Sequence, residues 1–298
     1  MRRPAAVLVG TFVAVLTFAG CTLTSTGDLA TPRPSGDATL PEVIGAPGTA
    51  PTLRFPSTPP PSSLASEVLV EGDGPTVQAN DLIVADYLGQ VWDGPVFDSS
   101  YARGQVLVER LRSLVPGWAD GLTGRTVGSR VLLSVPPSEG YGTVGKPGTA
   151  IGGGDTIVFV VDLIGSFGTT ACGDPHATAA GSPPDGVVVS GLPGAPPSIR
   201  VVAGTPAPTA ASATVLARGT GERLVAGTAL VQIAATDWAG KDPGSTWDDS
   251  GPIQVSTRDG APYAGLAAVP VGSRVLVILP SSGDVPAVAS VVDVLAQT

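Results

Sequence analysis

The chain has 298 residues, with 40 glycines, 30 prolines, only 14% charged residues and a formal net charge of −9. That length suits about two domains, and the Gly and Pro content favours short strands and turns over helical bundles. The acidic balance excludes nucleic-acid binding, because too few cations are present to neutralise a phosphate backbone. The one histidine, His176, sits in a polar Gly/Pro-rich stretch. A Ser-His-Asp triad and a zinc site are therefore not expected, and with them an unrelated hydrolase is set aside. Nothing in the sequence calls for a cofactor or a metal.

Residues 1–20 read as an export signal. Arg2 and Arg3 form a positive start, and the apolar run Ala5 to Phe18 is shorter than the ~20 residues of a spanning helix. Ala19-Gly20 then precedes Cys21, which resembles a bacterial lipobox. The resemblance implies cleavage before Cys21, lipid on its sulfur, and a place on the outer face of the cytoplasmic membrane. Cys172 is then the only remaining thiol, so no intramolecular disulfide is expected. Residues 21–61 are rich in Thr, Ser, Pro, Gly and Ala and predict a disordered tether. Within it, Thr52-Leu53-Arg54-Phe55 alternates and offers an edge strand.

From Ser66 onward the strand pattern is clear. Val68-Leu69-Val70, Leu82 to Tyr87, Arg130 to Val135 and Ile157 to Ile164 are apolar runs bounded by Gly, Pro and Asp turns. Leu114 to Leu122 predicts one short helix, with Pro116 in its first turn and Trp118 and Leu122 on one face. A short helix against an antiparallel sheet is an α+β arrangement. Residues 167–185 return to linker composition, with Cys172 expected to be exposed, and strand-like runs resume from 186 to 298.

The second half repeats the first. Val127-Gly128-Ser129-Arg130-Val131-Leu132 recurs 144 positions on, at Val271 to Leu276, and Val68 to Gly74 is echoed 147 positions on, at Val215 to Gly221. A pair of units this long indicates a duplicated domain and not a solenoid. On these offsets Tyr87 aligns with Ala234, Trp118 with Pro262 and Phe159 with Ser290, and Trp247 to Ser250 echoes Phe97 to Ser100. Between the last two strands the second copy is 13 residues shorter, and it lacks the stretch that carries Tyr141.

Gly140 to Gly145 spells a dinucleotide-type glycine string, but Pro147 follows and no helix opens, so it predicts a turn. Asp93 and Asp248-Asp249 read as turn formers. The set Tyr87, Phe97-Asp98-Ser99-Ser100, Val115-Pro116-Gly117-Trp118, Tyr141-Gly142, Phe159 and Asp162-Leu163, in this order over residues 66 to 166, resembles the FKBP-type peptidyl-prolyl isomerases. The resemblance implies two tandem FKBP-like domains, 62–166 active and 186–298 degenerate, each a twisted antiparallel sheet wrapped around a short helix. It implies an aromatic pocket with Tyr87, Phe97, Asp98, Tyr141 and Phe159 as catalytic groups. Leu107, Leu114, Val115, Trp118 and Ile151 would bind substrate, with Val106 or Val108 equally possible in the place of Leu107. Gly152-Gly153 stands where relatives carry proline, which implies a looser rim loop. Partners would be proline-containing exported polypeptides, macrolides such as rapamycin, and the membrane through Cys21. A non-catalytic client-binding lipoprotein built on the same domains is the second reading.

Overall fold

The structure is a computed structural model and describes residues 39–241, 243–248 and 250–298. The expected export signal, Cys21 and the first part of the expected tether lie outside the described residues. In chain order come β1 (Glu42–Ile44), β2 (Thr52–Arg54), β3 (Ala65–Val70), β4 (Leu82–Val91), β5 (Val96–Ser99), α1 (Ser100–Arg103), β6 (Leu107–Arg110), α2 (Pro116–Leu122), β7 (Arg130–Val135) and β8 (Ile157–Phe167). They are followed by β9 (Thr178–Ala179), β10 (Val187–Ser190), β11 (Ser198–Val201), β12 (Ser212–Arg218), β13 (Thr228–Asp237), β14 (Gly244–Ser245), β15 (Ile253–Ser256), β16 (Arg274–Leu279) and β17 (Val288–Gln297). Among the described residues no helix is long and apolar enough to cross a membrane.

Two large antiparallel sheets dominate. The first runs β3-β7-β8-β4-β5, with β6 also paired to β4. The second runs β12-β16-β17-β13-β14, with β15 also paired to β13 and β9 added beyond β12. Apart from β9, the two strand orders are the same. Alternation along β4, β7 and β8 sends Ile83, Ala85, Tyr87, Val131, Leu133, Val135, Ile157, Phe159 and Val161 to one face. There they meet Trp118 and Leu122 of α2. In the second sheet a single 3-10 turn, Ala264–Leu266, lies where α2 would be, and Leu266 is fully buried.

The tether expected up to residue 61 carries defined structure from residue 39 on. β1 and β2 pair with each other as a hairpin and not as an edge of the main sheet. The hairpin lies on the sheet face opposite α2, with Leu40, Val43, Leu53 and Phe55 packed on Leu132, Val158 and Val160. Arg130 secures it. This guanidinium is 1% exposed and pairs with Asp162 through two bonds, Nε to Oδ1 at 2.6 Å and NH2 to Oδ2 at 2.7 Å. It also donates to Gly45 O (2.7 Å) and Thr49 O (3.0 Å), while Gly48 N donates to Asp162 Oδ2 (2.7 Å). Composition alone misses this, because the order comes from carbonyls captured by a charge more than 80 positions away.

The same device recurs. Arg274 pairs with Asp293 (2.7 and 2.9 Å) and donates to Gly191, Leu192 and Ala195 on the β10–β11 hairpin. The two hairpins match in sequence at an offset of 146. Gly45, Pro47, Gly48, Pro51 and Arg54 correspond to Gly191, Pro193, Gly194, Pro197 and Arg200.

Residues 167–185 are also more than a spacer. Gln232 Nε2 donates to Thr169 O (2.7 Å) and Ala171 O (3.2 Å), and Trp247 Nε1 to Ala171 O (2.9 Å). Gly173 N donates to Asp293 Oδ2, and β9 pairs with β12. Cys172, expected to be exposed, is half-buried beside the Trp247 indole, and burial raises its thiol pKa. The two sheets share an apolar cluster: Leu82 and Val84 of β4 and Val108 of β6 pack with Leu230 of β13 and Leu295 of β17, and Phe167 packs against them.

Candidate functional site

The helix α2 starts at Pro116, two residues after the predicted start at Leu114, because Leu114 and Val115 are extended. Pro116 is its first residue, where its missing N–H costs no hydrogen bond, and Val115 before it is extended at ψ 145°. Gly117 lets the helix lie against β7, since a Cβ there would stand 2.5 Å from Val135 Cγ1. That close approach drives Trp118 into the sheet, where it is 3% exposed.

Trp118 is one of four rings that meet here. Its centroid is 5.2 Å from Phe159 and 5.5 Å from Tyr87, both edge to face. Phe97 meets Phe159 edge to face at 5.7 Å, and Tyr87 lies 6.3 Å from Phe159. Such geometry satisfies the ring quadrupoles and fixes the walls. Gly89 on β4 makes room for them, because a Cβ there would fall 2.7 Å from two Phe97 ring atoms and 3.0 Å from Phe159.

The Phe97 to Ser100 string divides its work by residue. Asp98 accepts a hydrogen bond from the Tyr87 hydroxyl and pairs with Arg103. Arg103 also donates to the Tyr87 hydroxyl (3.3 Å) and stands over its ring at 5.4 Å. Burial, then the hydrogen bond to Asp98, pushes the Tyr87 pKa up to about 12, with Arg103 opposing. The phenol therefore stays protonated at neutral pH. Ser99 caps α1 at Ala102 N. Ser100 Oγ accepts from Tyr87 N (2.8 Å) and donates to Asp86 Oδ1 (2.7 Å), which locks β5 onto β4.

Leu107, Leu114, Val115 and Tyr141 are half-buried against this cluster, and Ile151 is buried in it. Leu107 points to the pocket, whereas Val106 and Val108 belong to the cluster shared by the two sheets. The rim loop is pinned by its own backbone: Gly145 N donates to Tyr141 O (3.1 Å), Lys146 N to Ile151 O (3.0 Å) and Gly154 N to Gly142 O (3.0 Å). Gly153 cannot carry a side chain there, since its Cβ would meet Thr143 O at 2.0 Å. Among the described residues, neither the Val115 N–H nor the Tyr141 hydroxyl makes a hydrogen bond, so both are free for a ligand. All ten pocket residues named from the sequence thus gather at one site. Arg103 is an addition to them, and its place five residues after Asp98, at the end of α1, is the signal that could have found it.

The register of the second sheet corrects two alignments. Gln232 lies opposite Asp293 as Asp86 lies opposite Asp162, so Ile233 and not Ala234 takes the place of Tyr87. Ile233 N donates to Thr246 Oγ1 (2.9 Å), just as Tyr87 N donates to Ser100 Oγ, so Thr246 and not Ser250 stands for Ser100. Pro243 and Gly244 therefore hold the positions of Phe97 and Asp98, and Trp247 that of Tyr101. The alignment of Phe159 with Ser290 stands, since each lies opposite the matched residues of both neighbouring strands. The ring cluster, the Asp98 carboxylate and the Tyr87 phenol are all without counterparts at the matching positions of the second sheet.

Residues 74–164 match the family described as FKBP-type peptidyl-prolyl cis-trans isomerase. The chain is 38% identical over 117 residues to an FK506-binding protein of Streptomyces anulatus, a match that covers 38% of this chain and 94% of that protein. It is 35% identical over 115 residues to a probable FK506-binding protein of Corynebacterium glutamicum, covering 38% of this chain and 96% of the relative. It is also 38% identical over 103 residues to the isomerase FkpA of Escherichia coli, covering 35% of this chain but only 37% of FkpA.

Proposed function

The chain belongs to the FKBP-type peptidyl-prolyl cis-trans isomerase family, and on that footing we propose that its first sheet catalyses rotation about X-Pro bonds in exported polypeptides. The observation that carries this is the ring cluster of Tyr87, Phe97, Trp118 and Phe159 beside two hydrogen-bond donors with no partner among the described residues. The amide rotation barrier is ~18–20 kcal/mol because the planar bond is resonance-stabilised. X-Pro bonds exchange in tens to hundreds of seconds without help. No covalent intermediate is required. A twisted amide has lost resonance and is less dipolar, so a dry aromatic pocket favours it over the planar ground state.

The proline ring packs on Trp118 between Tyr87, Phe97 and Phe159, with Leu107, Leu114 and Ile151 completing the walls. The Val115 N–H and the Tyr141 hydroxyl donate to substrate carbonyls. Asp98, held by Tyr87 and Arg103, turns its charge towards the twisted bond. Lowering the barrier by ~5–8 kcal/mol corresponds to a rate gain of roughly 10⁴ to 10⁶. The same pocket accepts macrolides such as rapamycin.

The reading extends to the rest of the chain. Residues 1–20 direct export, and lipid on Cys21 holds the protein on the outer face of the cytoplasmic membrane. Residues 186–298 form a second, degenerate domain of the same kind that does not isomerise proline. The duplicated strand order, the two Arg–Asp pairs and the matched hairpins support this. A proline-limited peptide assay on the full chain tests the activity. No rate gain, or a gain unchanged by Trp118→Ala combined with Tyr141→Phe, sinks it.

A further inference from the structure

The second sheet carries an open cavity of about 570 Å³, lined among others by Ile233, Ala235, Ile253, Tyr263, Pro286 and Val288. Its position follows from register. Ile233, Ala235 and Ile253 hold the places that Tyr87, Gly89 and Leu107 hold in the first sheet, because each sits at the matching step of the ladder. The cavity is therefore the counterpart of the isomerase pocket with its rings removed. Ser290 replaces Phe159, and the short Ser282–Val285 connection replaces the loop that carries Tyr141. Tyr263 takes back part of the room; burial raises its pKa, opposed by a hydrogen bond with Ser290.

Several of the polar groups on the walls are held by the protein itself. Thr246 Oγ1 accepts from Ile233 N and donates to Gln232 Oε1, and Asp237 Oδ1 accepts from Lys241 N at 2.7 Å. Ser245 Oγ accepts from Trp247 N at 3.3 Å. Apolar surface makes up more than half of what faces an entering group, and Val285 at the mouth is 62% exposed. Cavities of roughly 300–1,000 Å³ hold ligands much larger than one proline ring.

We propose that this cavity binds aromatic and large aliphatic side chains of unfolded polypeptides, independently of proline. The inference rests on the proposed function, since that reading makes a polypeptide the substrate of the first pocket. Polypeptide is favoured as the occupant because the cavity holds, step for step in the ladder, the place of the pocket that takes a polypeptide segment in the first sheet.

The test uses the full chain and a fluorescein-labelled decapeptide of Ala, Gly and Ser with two phenylalanines and no proline, followed by anisotropy. The peptide is expected to bind, Ala235→Trp to raise its Kd at least tenfold, and an excess of acetyl-Ala-Ala-Pro-Ala-amide to leave it bound. Val285→Asp, at an exposed position, is expected to weaken binding severalfold and covers the case in which Ala235→Trp misfolds. Absence of binding, displacement by the proline peptide, or wild-type affinity in both variants overturns the proposal. The isomerase rate, measured separately, is expected to be unchanged in Ala235→Trp, so failure of the isomerase reading shows in a different experiment.

Discussion

Gly89→Ala is the sharpest single probe of the ring cluster. The added methyl would stand 2.7 Å from Phe97 Cε2 and Cζ and 3.0 Å from Phe159 Cε1. Carbon atoms prefer about 3.5–4.0 Å, so the Phe97 ring must retreat by roughly 1 Å. Phe97 is half-buried and can yield, which puts the stability cost near the lower end of the ~1–3 kcal/mol expected for overpacking. The pocket suffers more, because misplacement of a catalytic surface by about 1 Å costs up to ~100-fold. We expect kcat/KM for a proline peptide to fall by about 10- to 100-fold, or about 1.4 to 2.7 kcal/mol. The urea midpoint should move only slightly. The second sheet supplies a control, since Ala235 already occupies the matching position and Ala235→Gly should leave the isomerase rate unchanged. Activity within twofold of wild type in Gly89→Ala would refute the claim that these rings form the reacting surface.

Other outcomes follow from the same contacts. Arg130→Ala strands a buried carboxylate and two hairpin carbonyls, and should cost ~3–5 kcal/mol by urea denaturation. At Asp162 burial raises the pKa, but hydrogen bonds from Arg130, Tyr101 and Gly48 outweigh it and hold the pKa below its ordinary value. Its contribution is therefore present above the unfolded pKa of about 3.9 and is lost as pH falls through the lower folded value. Acid titration of stability should show this loss, and Asp162→Asn should remove it. The Tyr87 pKa, pushed up to about 12, predicts that the Tyr87 contribution persists to about pH 10 and is lost as pH rises from there towards 12. Trp247→Phe deletes the indole bond to Ala171 O, and a loss of about 1 kcal/mol is expected in thermal or urea unfolding.

Much of the first sheet is legible in the sequence because its residues obey local rules. Alternation marks β4, β7 and β8, and Pro116 before a Trp118–Leu122 face marks α2. The pocket is legible because its residues keep family spacing, apart from Arg103. What escapes depends on contacts far apart in sequence. The β1–β2 hairpin reads as a tether until Arg130 and Asp162 are placed beneath it. Carrying the offset of 147 into β13, where the matched offset is 146, exchanges Ile233 for Ala234. One residue of slip moves a side chain to the other face of a sheet, so the exchange trades a pocket position for a back-face one.

The Arg130 and Arg274 pairs also bear on the order in which the chain can fold. The hairpin at Glu42–Arg54 is made early in synthesis, yet its carbonyls wait for a guanidinium 81 and 85 positions later. Its Gly48 N–H waits for a carboxylate 114 positions later, on β8. A two-stranded hairpin is marginal alone in water, and closing such long loops is slow. Neither hairpin can gain these bonds until the strand that carries its arginine has been made, and the first also waits for Asp162 on β8.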